Sequence, residues 1–139
     1  MVAKTHSSPV ASTLLRNALQ VDGVVSAIGA LGFLVVGISP LATLMGFAGP
    51  TFPLIVCVIL VAYVAWLFLL TRKPVIASSE AMVVVMINDA WVLGSIVLLI
   101  INQPPLTLWG KLFIGLIAVV VAAFGGVEFY AVRKQRQAF

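Results

Sequence analysis

Charge is nearly absent from this chain. Only 9% of its 139 residues are Asp, Glu, Lys or Arg, and 63% are hydrophobic. A soluble domain carries about 25% charged residues, so these residues cannot clothe a water-facing surface, and the solvent must be lipid. Cysteine occurs once, at Cys57, which excludes an intramolecular disulfide and a metal site built from thiolates alone. Histidine also occurs once, at His6 in the polar N-terminal stretch. Neither a haem held by two histidines nor an imidazole-based zinc site is expected. There is no phosphate loop, nucleophile elbow, CxxC or histidine–carboxylate set, and Ser26, Ser95 and Cys57 have no intramembrane histidine to activate them. The expectation is a non-enzyme with no cofactor and no metal. The first long apolar run starts near Val21 and lacks a small-residue cleavage site, so no cleavable signal peptide is expected.

What fills the space is uncharged sequence. No charged residue lies between Asp22 and Arg72, and a helix needs about 20 apolar residues to cross a bilayer core roughly 30 Å thick. Two spans and a turn fit. Pro40, Pro50 and Pro53, with Gly46 and Gly49, mark the reversal. The spans predicted are about 21–38, 52–70, 81–101 and 112–132, leaving 1–20 as an N-terminal tail and 133–139 as a basic tail. "SPLATLMGFAGPT" connects the first pair, "TRKPVIASSE" is a polar loop, and "NQPPLTLWGK" turns the second pair. The fold class expected is all-α, an up-down four-helix transmembrane bundle.

Basic residues orient it. Lys4, Arg16, Arg72, Lys73, Arg133, Lys134 and Arg136 fall on one side and only Lys111 on the other. That asymmetry places both termini in the cytoplasm by the positive-inside rule. It also accounts for the net charge of +4 through contact with lipid headgroups, so nucleic acid is not expected as a partner. A tandem repeat of parallel helical hairpins is a further candidate feature. "PLATLMG" follows Asp22 by 18 residues, and "PLTLWG" follows Asp89 by 16.

The polar residues inside the spans carry what functional signal there is. Asp89 falls roughly 12 Å into the core if the third helix starts at Ala81. An aspartate near a helix centre costs about 2.5–3.5 kcal/mol on insertion scales. It must either hold a proton or turn inward to a donor. The plain reading has Asn88, Asp89 and Ser95 turned inward and bonded between helices, which sets register more than stability. Asn88, Trp91 and Ser95 share one helical stripe, with Trp91 expected to fill the core, while Trp66 and Trp109 lie nearer the span ends. In span one, Asp22, Ser26 and Gly29 form a second stripe, whose small residues admit a close neighbour. Asp22 also suits the positive N-terminus of a helix. Glu128 is read as an interfacial partner of Arg133, and Gly125–Gly126 as a close helix contact. A sharper alternative gathers Asp22, Asp89 and Glu128 into one proton or cation site.

The stretches "LRNALQVDGVVSAIGAL", "SPLATLMG" and "INDAWVLGSIVLL", followed by a basic tail, resemble a group of small four-span bacterial integral membrane proteins of uncharacterised function. The resemblance rests most on Asp22, Ser26 and Gly29, and on Asn88, Trp91 and Ser95. Asp89 and Glu128 fall outside that pattern. It implies a bacterial inner membrane and a four-helix unit, and it supplies no activity. The function expected is a non-catalytic accessory or scaffold subunit. Its partners would be the bilayer and either sister copies or a larger membrane complex. The alternative is a proton- or cation-coupled small transporter with Asp89 as the titrating group. A lipid-modifying enzyme is a distant third.

Overall fold

The computed structural model describes residues 9–102 and 105–137. Residues 1–8, which include Lys4 and His6, positions 103–104 of the second turn, and the last two residues of the basic tail lie outside that range. The described residues form four long helices and a short one, with no strand among them. These are α1 (Pro9–Ile38), α2 (Leu41–Leu44), α3 (Thr51–Thr71), α4 (Ser78–Ile101) and α5 (Leu108–Gln137). Each long helix contains a segment long and apolar enough to cross a membrane. The shortest, the 21-residue α3, spans about 31 Å at 1.5 Å per residue, which matches a hydrocarbon core.

Helix ends differ from the expected spans for identifiable reasons. Pro9 opens α1, where its missing N–H costs nothing. Leu15, Ala18 and Leu19 then continue the same buried stripe that holds Ala30 and Phe33 further on. Most of the stretch read as a tail over 1–20 is therefore helix. At the other terminus α5 runs on through Ala131, Val132 and Gln135, all buried. Gln135 Nε2 donates to the Ile76 carbonyl at 2.9 Å and to Ser78 Oγ at 3.0 Å, which ties the basic tail to the α3–α4 loop. A hydropathy run reports only the part of a helix immersed in lipid, and both helices outlast it.

In the bundle α3 packs on α1, α4 packs on α5, and α1 joins the two hairpins through α5. Two apolar plugs close the ends. Leu15, Leu19, Leu67, Leu70, Val84 and Val132 form one beside the α3–α4 loop. Phe33, Val36, Ala42, Phe47, Val56 and Ile114 form the other beside α2. Phe33 is its hub, meeting Trp91 and Phe113 edge-on at 6.2 and 5.0 Å. The outward faces are also apolar, with Ile28, Leu31, Val58, Leu69, Ile100 and Leu116 exposed. In water such a surface would drive aggregation; in lipid it is solvated.

The two proline turns touch. Thr107 N and Oγ1 donate to the carbonyls of Met45 (3.0 Å) and Leu44 (2.8 Å). Each candidate repeat segment ends on a glycine, and each glycine lies against the other segment. A Cβ on Gly46 (φ +89°) would stand 2.6 Å from the Pro105 carbonyl oxygen, and one on Gly110 would collide with the Met45 carbonyl oxygen. At the opposite end Arg16 donates to the carbonyls of Thr71 and Pro74. This puts a cation on the carbonyl terminus of α3, where the helix dipole favours it.

Candidate functional site: a buried polar cluster below an apolar cavity

One amide ties the four long helices together. Asn88 on α4 is 4% exposed. Its Nδ2 donates to Asp22 Oδ2 on α1 at 3.2 Å and to Glu128 Oε1 on α5 at 2.6 Å. Tyr63 on α3 completes the set, with its hydroxyl 2.9 Å from Asp22 Oδ2 and 3.1 Å from Asn88 Oδ1. Ser26 Oγ donates to Asp22 Oδ1 at 3.0 Å. Asp22 and Glu128 are 3% and 0% exposed, and no Lys or Arg pairs with either among the described residues. Asp22 thus accepts from three neutral donors. Glu128 Oε2 is buried with no donor among the described residues.

Two carboxyl groups that accept from the same nitrogen lie no farther apart than those two bonds laid end to end. Placing two full negative charges there, away from water and without a basic partner, costs several kcal/mol per ion. The cluster needs a proton or a cation to balance it.

Above the cluster, towards α2, lies a cavity of about 230 Å³ with walls from all four long helices. Asp22, Ser26, Tyr63 and Asn88 form its polar end, and Trp91 and Phe124 add aromatic wall. The remainder is Val, Ile, Leu and a glycine. The exposed residues Ile28, Ile59, Ile87 and Leu116 are part of the lining, so the cavity opens sideways towards lipid. It lies between the two apolar plugs. Trp91 Nε1 is buried there without an acceptor among the described residues.

The structure therefore brings together Asp22, Ser26, Asn88, Trp91 and Glu128 around one region and leaves Asp89 out. Asp89 is exposed, with Oδ1 at the lip of Gly125, where a Cβ would stand 3.5 Å away. The expectation that it turns inward with Asn88 is corrected. One residue is about 100° of helical rotation, and α4 packs chiefly on α5, so rotation past Asn88 leads out of the bundle. Asp22 is no helix cap, because α1 starts at Pro9, well before it. Glu128 is no interfacial ion pair, because α5 continues to Gln137; Arg133 instead lies 5.8 Å above the Phe129 ring. Ser95 is buried but donates to the Trp91 carbonyl of its own helix at 2.8 Å, so it bonds within a helix and not between helices. Gly125 is a close α4 contact as expected, whereas Gly126 faces open space. The tightest glycine on α1 is Gly37, against Leu54, rather than Gly29. Tyr63 was missed. Its one signal was a hydroxyl in mid-span, which when buried must find a partner.

No family model matches the chain, and neither a curated protein nor a solved structure does. Fold and site alone define the class. This is a small, multi-pass, all-helical membrane protein with an ionisable cluster at the centre of its bundle.

Proposed function

We propose that this protein is a small proton- or cation-coupled carrier in which Asp22 and Glu128, rather than Asp89, handle the charge. One observation carries the reading: two buried carboxyl groups share the Asn88 amide beside a cavity, with no basic side chain paired to them among the described residues. Ionisable residues inside membrane bundles that face a cavity mark ion and proton paths. A proton on the pair and a cation seated against it are alternative ways to balance the same charge, and that exclusivity is the basis of exchange. Basic-residue asymmetry and the resemblance to bacterial four-span proteins favour a bacterial inner membrane with both termini inside.

The test is flux. Vesicles carrying the purified protein and a trapped pH-sensitive dye receive a sodium gradient, then an organic ammonium gradient. Cation-driven proton movement is expected, falling at least tenfold in Glu128→Gln, which keeps the residue's size and hydrogen-bonding capacity. Rates equal to protein-free vesicles with both cations would overturn the proposal.

Asp89 favours a second, compatible reading as a subunit of a larger assembly. A carboxyl exposed at the centre of α4, with no ion pair among the described residues, is costly in lipid. Among the described residues the exposed basic side chains lie only near the helix ends, so these offer no cation at that depth from a second copy. The occupant proposed is a transmembrane helix of another protein bearing Lys or Arg. A photo-crosslinker at Leu93 should capture a span with such a residue, and Asp89→Leu should abolish capture. Adducts with lipid alone would sink this reading.

A further inference from the structure

Resting on the carrier proposal, we infer that the cavity binds a small organic cation with an apolar body, its charge seated beside Asp22. Three properties of the walls select this class. Asp22 is the one carboxylate in the lining, and three neutral donors already hold it in place, so a cation meets a preoriented anion. Tyr63, Trp91 and Phe124 line the same space, and aromatic faces attract cations by about 0.5–2 kcal/mol each, more as water is excluded. The other lining is aliphatic. A bare sodium or potassium ion would gain nothing from the aliphatic remainder of the lining, whereas an alkylated ammonium loses little hydration and gains apolar contact.

Size and access agree with this class. An apolar cavity of 150 Å³ accommodates benzene, so about 230 Å³ holds a ring or several alkyl groups around a charged centre. The side opening past Ile28, Ile59, Ile87 and Leu116 faces the acyl chains, and a ligand entering that way must itself partition into lipid. Lipophilic cations do so.

The ionisable groups facing the seat are Asp22 from α1, Tyr63 from α3 and Glu128 from α5; α4 contributes the neutral Asn88. Protons and ligand therefore compete for one negative charge, and affinity should fall as pH is lowered.

The experiment compares benzyltrimethylammonium with neopentylbenzene, its neutral counterpart with carbon in place of nitrogen. The protein is held in nanodiscs of phosphatidylethanolamine and phosphatidylglycerol, which carry no quaternary ammonium headgroup. Saturable binding of one cation per chain is expected, at least tenfold tighter than the neutral compound. Asp22→Asn should weaken it at least tenfold, and acidification should weaken it for wild type. Because Asp22→Asn disturbs the cluster, Val120→Phe provides an independent arm: it fills the lining away from Asp22 and should also abolish binding. Equal affinity for both compounds, or full binding in Val120→Phe, would overturn the inference and leave an acyl-chain groove. Sodium-driven proton flux without cation binding would refute this inference and spare the carrier. Cation binding without any flux would do the reverse.

Discussion

Asn88 is the residue on which the interior depends, because its side chain hydrogen-bonds to groups from three other helices. Replacing it with Leu removes the bonds to Asp22 and Glu128, leaves Asp22 with Ser26 and Tyr63, and strands the buried Glu128 carboxyl. Intramembrane hydrogen bonds average about 0.6 kcal/mol each, but stranding buried polar groups adds about 1–3 kcal/mol. Asn88→Leu should therefore cost about 2–4 kcal/mol in denaturing-detergent titrations. Tyr63→Phe, which leaves Asp22 two donors, should cost about 1 kcal/mol or less. The two substitutions should be non-additive, since their bonds share acceptors; strictly additive losses would show that the cluster is not one network. Glu128→Gln should change stability by less than about 1 kcal/mol while removing proton exchange. That contrast separates a charge-handling role from a packing role.

At the scale of elements, the proline turns interlock through glycine. Gly110→Ala sets a methyl group against the Met45 carbonyl, and backbone yields less readily than a flexible side chain. Overpacking of this kind costs about 1–3 kcal/mol. Gly94→Ala meets open space and should raise helix propensity by up to about 1 kcal/mol with no clash. Opposite signs for the two substitutions in thermal unfolding would support the α2–α5 contact, and a neutral Gly110→Ala would contradict it. The elements themselves were legible in the sequence because each requires only a run of apolar residues and a breaker. Their ends were less so. The continuation of α1 back to Pro9 and of α5 to Gln137 depends on Leu15, Leu19 and Gln135 finding partners on other helices, which local sequence does not display.

At the scale of the whole molecule, the distribution of basic residues predicts the orientation. Seven of eight basic residues on one side predict that a fluorescent reporter fused after Phe139 is active inside the cell and that an alkaline phosphatase fused there is inactive. The reverse pair would invert the bundle and place the Asp22 end of the cavity on the outer half.

The sequence by itself determined that this chain lives in lipid, crosses it four times and carries a few polar groups within its helices. Those properties follow from composition and run length, which are additive along the chain. Tertiary packing decided which polar groups meet. Asn88 and Asp89 are neighbours in sequence with similar side chains. One became the hub of the interior and the other faces outward, because rotation about a helix axis matters only once a second helix supplies the reference direction.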